Sequence, residues 1–205
     1  EKLFELYEIN PRTIVRAGTA SHYINSYKNS ISKSDAKCHF SNLKKNVFLH
    51  IGRIQPYKGT INLLRQFYKL NNPDITLLIA GKVDGDKLLR QIMTEVEACL
   101  SRNLDVRFEN KFVEDDDFQT YFNASDFVVL PFENILNSGS VLLAMSFGKI
   151  IIAPNIGSLS EVIPDYGWIS YEDSYDDLLL ALKKAINIKN TDSVRQNIIE
   201  YTRKN

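Results

Sequence analysis

The sequence has few cysteines and no long apolar run, and these absences exclude several classes of protein. Its 205 residues include two cysteines, Cys38 and Cys99, too few for a disulfide framework and without the spacing of a metal site. No apolar run approaches the roughly 18 residues of a membrane-spanning helix. Lys plus Arg and Asp plus Glu both total 25, so no net charge favours nucleic acid. We therefore expect a cytoplasmic protein with reduced thiols that binds no nucleic acid.

Several catalytic motifs are absent as well. The chain has no G-x-S-x-G, Walker A or G-x-G-x-x-G segment, which leaves the serine hydrolase, P-loop and dinucleotide-binding classes without their motifs. The acidic run 114–117 precedes a predicted helix and suits its dipole. Contiguous acids rarely converge on one ion, so no metal site is predicted. His50 lies within a predicted strand and is interpreted as a core residue, whereas His22 is a weaker candidate for a substrate contact.

What the sequence does contain is a regular alternation of apolar runs and amphipathic segments from Val47 onward. Strands that are apolar throughout and separated by helices predict an α/β fold, a Rossmann-like parallel sheet of about six strands with helices on both faces. The predicted strands are Val47–Ile51, Thr76–Ala80, Val106–Phe108, Phe127–Leu130, Ile150–Ala153 and Gly167–Ser170. The predicted helices between and after them are Lys58–Leu70, Asp86–Arg102, Asp115–Phe122, Ser140–Phe147, Ser158–Ile163, Tyr175–Ile188 and Thr191–Arg203. In such a sheet a ligand binds beyond the carboxyl ends of the strands.

The two ends of the chain differ from this alternating region. Residues 1–46 contain too few apolar positions for a core of their own, with a predicted helix at Lys2–Glu8 and a strand at Thr13–Val15. We interpret 1–46 as a connector, 47–188 as the α/β domain and 189–205 as a final amphipathic helix. The first residue is Glu1 rather than methionine, which predicts a piece excised from a longer protein.

The first candidate site is the loop after the first predicted strand. An apolar run ends at Gly52, and Arg53 and Lys58 then bracket a short loop that leads into a helix. Cations are unfavourable at a helix N-terminus, which already carries about half a positive charge. An anion between them would reverse this, with backbone N–H groups completing the site. The pattern therefore predicts a phosphate or diphosphate site, provided that no carboxylate of the chain neutralises the two cations. The alternative is two solvated surface charges beside a turn.

A second candidate site follows the fourth predicted strand. A polar loop containing Asn137, Ser138, Gly139 and Ser140 opens an apolar helix, and its hydroxyl and backbone donors suit an anion. The alternative is an ordinary N-cap by Asn137 or Ser138. Glu161 is likewise open to two interpretations, a substrate contact or the second member of a capping box that begins three residues earlier.

These motifs together resemble glycosyltransferase family 4. The matching segments, all of them in the range 47–182, are Gly52-Arg53 with Lys58-Gly59, Leu78-Ile79-Ala80-Gly81-Lys82, Tyr121-Phe122 with Ala124 and Asp126, Ser138-Gly139-Ser140 with Ser146-Phe147-Gly148-Lys149, and Gly157 with Glu161. The similarity is to the C-terminal, nucleotide-sugar-binding domain of the GT-B fold. It implies a retaining glycosyltransferase of bacterial polysaccharide or glycan biosynthesis that transfers a sugar from a nucleotide-diphosphate sugar without a bound metal or other cofactor.

The resemblance also implies roles for individual residues. The cations Arg53 and Lys58 would neutralise the diphosphate leaving group, and Phe112 and Val113 would flank the base. The loop at 137–140 would meet the sugar and phosphates, and the other matching positions, Gly52, Gly81, Lys82 and Glu161, are expected at the substrate. An acceptor-binding N-terminal domain would precede residue 1 and make any peripheral membrane contact. The chain by itself is then expected to be inactive.

The sequence departs from the family at two glutamate positions around the second site. Ile135 and Leu143 occupy them here, and Glu133 is the candidate to replace the first as a catalytic carboxylate. This departure keeps two alternatives open. One is a catalytically degenerate nucleotide-binding or scaffold module, and the other is a sugar-nucleotide epimerase on the same fold, which would need acid/base groups at the cleft.

Overall fold

The computed structural model describes residues 23–24, 26–135, 138–172, 174–188 and 191–204. The strands are β1 (Asn46–Ile51), β2 (Ile75–Ala80), β3 (Asp105–Glu109), β4 (Phe127–Val129), β5 (Ile150–Pro154) and β6 (Trp168–Tyr171). The helices are α1 (Lys33–His39), α2 (Thr60–Leu70), α3 (Asp86–Ser101), α4 (Phe118–Ala124), α5 (Gly139–Ser146), α6 (Leu159–Val162), α7 (Tyr175–Ile186) and α8 (Thr191–Lys204), with short 3-10 turns at Pro56–Lys58 and Asp165–Gly167.

The six strands form one parallel sheet in the order β3-β2-β1-β4-β5-β6. This confirms the predicted fold class. The chain moves outward from β1 to β3, returns to the centre at β4 and then moves outward on the other side. Because parallel connections are right-handed, this reversal puts α2 and α3 on one face and α4 and α5 on the other. The reversal point lies between β1 and β4, where open α/β sheets bind their ligands.

The core forms where the strands are apolar on both faces. β1, β2, β4 and β5 are buried along almost their whole length, whereas the edge strands β3 and β6 are partly exposed. Phe48 stacks on Phe127 across the reversal point, with ring centroids 5.1 Å apart. Below the sheet, Phe122 stacks on Phe147 at 4.6 Å. Each such fully buried side chain contributes roughly 2–3 kcal/mol of apolar burial.

The start of α2 differs from the predicted helix, which begins at Lys58. Residues 56–58 form a 3-10 turn, Gly59 adopts a left-handed conformation with φ of +69°, and α2 begins at Thr60. A Cβ at Gly59 would collide with the backbone carbonyl of Pro131. The break therefore lets the loop after β1 touch the loop after β4, and it also aims Lys58 at the site.

The first and last helices of the described chain pack against helices that cover the sheet. α1 lies against α4, with Ala36 fully buried, and α8 lies against α5, with Ile198 and Thr202 buried. The predicted elements at Lys2–Glu8 and Thr13–Val15 lie outside the described residues, as does His22. In the part of the chain that the structure describes, no helix is both long and apolar enough to cross a membrane.

His50 is a core residue, as predicted from its place in a strand. Its Nδ1 lies 2.9 Å from the carbonyl oxygen of Val129, and its Nε2 lies 2.9 Å from the hydroxyl of Thr60. A carbonyl oxygen can only accept, so Nδ1 carries the proton and the Thr60 hydroxyl donates to Nε2. Burial lowers the pKa of His50 to about 4. The neutral ring thus ties β1, β4 and the start of α2 together.

Candidate functional site

The loops that follow β1 and β2 are hydrogen-bonded to each other beyond the end of the sheet. The amide of Gly52 donates to Ala80, and Ile54 forms a parallel bridge with Val83. The amide of Asp84 then donates to the Ile54 carbonyl at 2.9 Å. This extension gives the rim of the sheet a fixed shape, so that the residues of the two loops are held at defined positions before any ligand is bound.

Gly81 is the position at which these two loops approach most tightly. A Cβ at Gly81 would collide with the carbonyl oxygen of Gly52, although the backbone of Gly81 needs no positive φ. Space, rather than conformation, therefore requires glycine here.

A cavity of about 350 Å³ opens at this rim. Its size is that of a small-molecule site. Six of the residues predicted at the substrate line it together, namely Gly52, Arg53, Gly81, Lys82, Phe112 and Val113, and Asp84, Asp115 and Phe118 complete the lining. Phe112 is 69% exposed, so its ring is available for stacking. The geometry brings Gly52 and Arg53 of the predicted phosphate loop to the same space as the predicted base-flanking residues, whereas Lys58 and residues 138–140 are not among the lining residues.

Lys58 is almost fully buried, with 9% of its surface exposed. Its ammonium donates to the Ser140 hydroxyl at 3.2 Å and lies 4.8 Å above the Phe132 ring. Among the residues that the structure describes, no carboxylate pairs with it. Desolvation by burial lowers its pKa. An ammonium taken out of water without an anionic partner is unfavourable, and its place beside α5 makes it a position that an anion would stabilise.

Arg53 has a different environment from the one that the sequence hypothesis requires. Its Nε donates to both carboxylate oxygens of Asp84, at 2.9 and 3.0 Å, so a carboxylate of the chain neutralises this cation. Gln55 donates to the same carboxylate at 2.8 Å. The hydrogen bond to Arg53 lowers the pKa of Asp84, and the same bond raises the pKa of Arg53. The two predicted cations therefore have different partners.

The sequence left two interpretations of the start of α5, an anion site or an ordinary N-cap, and the structure has features of both. The Ser138 hydroxyl accepts from the amide of Ser140 at 3.2 Å and is the N-cap of the helix. Ser140 faces the site, because its hydroxyl contacts Lys58 and lies 3.8 Å from the Cβ position of Gly52. A Cβ at Gly139 would meet the hydroxyl of Tyr23 at 2.8 Å. Asn137 lies outside the described residues.

Glu133 and Glu161 do not line the cavity that contains Arg53. Glu133 lines a second cavity of about 420 Å³ between the starts of α2 and α3, together with Asp84, Gln55 and Lys87. Glu161 is exposed on α6, and Ser158 makes no side-chain cap to this helix. The capping-box interpretation is therefore wrong, because the Ser158 side chain does not cap the single turn of α6.

The departures from the family pattern have a structural counterpart. Leu143 is buried, with 8% of its surface exposed, and Ile135 packs against the same core. Apolar side chains thus occupy the two positions where the family resemblance expects carboxylates. Within the described ranges, no group of three or more His, Cys, Asp or Glu side chains is placed to hold a metal ion.

Sequence reasoning missed Asp84, Asp115 and Phe118 in the lining of the cavity, and Tyr23 beside the start of α5. Asp84 is 31 positions from Arg53, and no local pattern connects the two. Asp115 belongs to the acidic run that was assigned to a helix start. Tyr23 belongs to the connector, where it stacks on Tyr27 at 6.0 Å. Only the parallel sheet order, which puts the loop after β2 beside the loop after β1, could have suggested Asp84.

An open parallel sheet with a cation-bearing cavity beyond the carboxyl ends of its strands, here β1, β2 and β3, is typical of α/β domains that bind nucleotides. Comparison with known proteins gives the family. Residues 32–205 match the family model described as "Glycosyl transferases group 1", and the chain belongs to this family. A curated relative, the GDP-mannose:glycolipid 4-beta-D-mannosyltransferase of Xanthomonas campestris pv. campestris, is 33% identical over 138 residues, which is 65% of this chain and 38% of the relative. The chain thus spans 38% of the length of that relative.

Solved structures agree on the fold. The C-terminal domain of LpcC, a glycosyl transferase group 1 family protein from Francisella tularensis, superimposes with a TM-score of 0.71 at 19% identity, covering 88% of this chain and 94% of that one. HepE of Anabaena, solved with UDP and glucose, gives a TM-score of 0.73 at 18% identity over 88% of this chain and 50% of that one. The expected likeness to one half of a GT-B fold is therefore confirmed at the level of the fold.

Proposed function

We propose that this chain is the donor-binding part of a glycosyltransferase that uses a nucleotide-diphosphate sugar. The observation that carries the proposal is the buried ammonium of Lys58, which lacks a carboxylate partner among the described residues and lies beside the Ser140 hydroxyl. A diphosphate placed there would replace the water that the ammonium loses on burial. Membership of the glycosyl transferase group 1 family supports the same ligand class.

The chemistry follows from where charge develops. When the bond between the sugar and the diphosphate breaks, the leaving diphosphate gains negative charge. Lys58 and the backbone donors at the start of α5 would stabilise that charge, and they are already in place before the reaction. Arg53, which lines the neighbouring cavity, would contact the second phosphate through its terminal nitrogens. In this proposal no bound metal ion is needed to stabilise the leaving group.

We further propose that the base is guanine. The ring of Phe112 offers a stacking surface, and the Asp115 carboxylate lines the same cavity. A carboxylate only accepts hydrogen bonds, and guanine presents two adjacent donors on its Watson–Crick edge. The Xanthomonas relatives are named for GDP-mannose, which motivates a GDP-sugar as the first donor to test.

The acceptor and the stereochemistry remain parts of the proposal. The family resemblance implies a retaining enzyme with an acceptor-binding domain on the other side of the cleft, and the names of the Xanthomonas relatives motivate a glycolipid acceptor at the cytoplasmic face of a membrane. The relatives are named for a β-linked product, so the anomeric configuration of the product is the quantity to measure. The buried Leu143 favours a second candidate, a nucleotide-binding module without transfer activity.

Titration calorimetry with GDP, UDP and ADP tests the ligand class. We expect GDP to bind, and Lys58→Ala to weaken it by about a hundredfold, because the loss of a charged hydrogen bond in a partly dehydrated site is large. Lys87→Ala is the matched control, since Lys87 is an exposed lysine of the neighbouring cavity. No binding of any diphosphate, or equal losses in both variants, would refute the proposal.

Transfer is tested with the chain joined to its acceptor-binding domain. We expect GDP release from GDP-mannose only when a glycolipid acceptor is present, and nuclear magnetic resonance of the product gives its anomeric configuration. GDP binding without any acceptor-dependent release would favour the non-catalytic module. Conversion of the donor sugar without an acceptor would favour the epimerase instead.

A further inference from the structure

The Arg53 side chain combines high exposure with a fixed geometry. Its side chain is 71% exposed, and an arginine this exposed ordinarily samples many rotamers. Here one nitrogen, Nε, makes both hydrogen bonds to Asp84. Among the described residues, no hydrogen bond reaches either terminal nitrogen of Arg53. The end of the guanidinium, which carries four N–H donors, is therefore available while its stem is fixed.

Asp84 is held more firmly than the arginine that it contacts. Its carboxylate accepts from Gln55, and its own amide donates to the Ile54 carbonyl within the bridge between the two loops. The Asp84 side chain is 30% exposed, compared with 71% for the Arg53 side chain. The carboxylate lines both the cavity that contains Arg53 and the neighbouring cavity. Asp84 is thus a fixed point of the rim against which Arg53 is oriented.

We propose that Asp84 is a positioning residue for diphosphate binding. By holding Nε, it aims the two terminal nitrogens of Arg53 into the cavity, where they can bind a phosphate in the bidentate manner typical of arginine. This inference rests on the proposed function, because it needs a diphosphate in the cavity. It assigns a role to a residue that the family motifs in this sequence do not include.

A second role is physically possible and predicts the opposite result. Asp84 is an anion beside an anion site, so it could act as a latch that competes with phosphate for Arg53. Removal of the carboxylate would then strengthen binding, whatever replaces it. The orientation role differs, because it depends on an acceptor for Nε and not on the negative charge.

Two substitutions separate these roles. Asp84→Asn keeps an oxygen that can accept from Nε, and rotation of the Gln55 amide can satisfy the new amide group. Asp84→Ala removes the acceptor altogether. With GDP as the probe and calorimetry as the measurement, we expect Asp84→Ala to weaken binding about tenfold and Asp84→Asn to stay within about twofold of the unmodified chain. In an Arg53→Ala background, Asp84→Ala should have no further effect.

Three results would overturn the inference. Tighter GDP binding by both variants would establish the latch, equal weakening by both would remove the role of the acceptor, and a loss that persists in the Arg53→Ala background would show that Asp84 does not act through Arg53. A readout without ligand supports the same conclusion, because the Arg53 Nε–H resonance should exchange slowly in Asp84→Asn and be lost in Asp84→Ala. If Lys58→Ala leaves GDP binding unchanged, the proposed function fails. If Lys58→Ala weakens GDP binding as expected but the Asp84 variants give one of the three results above, this inference alone fails.

Discussion

Lys58 and Arg53 lie five positions apart in one loop, yet they belong to two different environments. Lys58 is buried, its ammonium lies over the Phe132 ring, and among the described residues its side-chain hydrogen bond goes to the Ser140 hydroxyl, whereas Arg53 is exposed and already bound to Asp84. The difference shows that two cations of one sequence motif can have different roles in ligand binding. In our account Lys58 supplies uncompensated charge, and Arg53 supplies oriented donors.

The largest expected effects come from the two glycines, each of which holds one half of the site together. A Cβ at Gly59 would push the Lys58 turn away from Pro131, and a Cβ at Gly81 would push the loop after β2 away from the loop after β1 that carries Arg53. We expect Gly59→Ala to lower the free energy of unfolding by about 4 kcal/mol and Gly81→Ala by about 3 kcal/mol, since Gly59 also has a positive φ. Urea unfolding measures both.

Gly139→Ala is the control for these two variants. The atom in its way is the Tyr23 hydroxyl, at the end of a rotatable side chain. We therefore expect a loss of less than about 1 kcal/mol. Equal losses at all three glycines would contradict the assignment of Gly59 and Gly81 to backbone contacts.

Acid should weaken the Lys58 half first, because His50 is hydrogen-bonded to Thr60, two residues after Lys58. The pKa of His50 is lowered by burial to about 4 in the folded chain and is about 6.5 in the unfolded chain. Between these values the unfolded chain binds more protons, so stability rises with pH. We expect a contribution of about 3 kcal/mol that is fully present above pH 6.5 and lost as the pH falls towards 4.

The pH dependence is measured by urea unfolding between pH 4 and 7. His50→Gln, which cannot titrate, is the comparison variant: it should be less stable at pH 7 and should lack this part of the pH dependence. A pH profile that is the same in both chains would show that His50 is not the group responsible.

The smallest expected effect concerns the proposed base-binding residue Phe112, in the cavity that Arg53 lines. Phe112→Ala should weaken GDP binding about tenfold through lost stacking. It should hardly change stability, because the ring is 69% exposed. Leu180→Ala is the matched control, with 59% exposure on the remote helix α7. Unchanged GDP affinity in Phe112→Ala would place the base elsewhere.

The comparison also shows what could be read from the sequence. The strands could be predicted because β1, β2, β4 and β5 are apolar on both faces. Six residues that line one cavity could be predicted because they follow the carboxyl ends of parallel strands. The start of α2 could not be predicted, because the break at Gly59 depends on a close approach to Pro131. Nor was the Arg53–Asp84 pair, because it joins two loops 31 residues apart. Local patterns carry helix and strand type, while the partners of a side chain depend on how the strands are ordered.

The boundaries 1–46, 47–188 and 189–205 stay predictions, as does the N-terminal acceptor-binding domain. The described structure adds one constraint to them. α1 packs against α4 and α8 packs against α5, so both flanking segments share their packing with the sheet. Unfolding of chains that begin at Ser32 or end at Ile188 would show how much stability each flank contributes.

The central claim is that the buried ammonium of Lys58 binds an anionic ligand, which stabilises its charge. Thermal unfolding of Lys58→Met with and without GDP tests this most directly, because methionine fills the same space without charge. Our account predicts that this variant is more stable than the unmodified chain in the absence of ligand, by about 1 kcal/mol, and that GDP raises its unfolding temperature much less than that of the unmodified chain. A variant that is less stable without ligand but is still stabilised by GDP as strongly as the unmodified chain would contradict it.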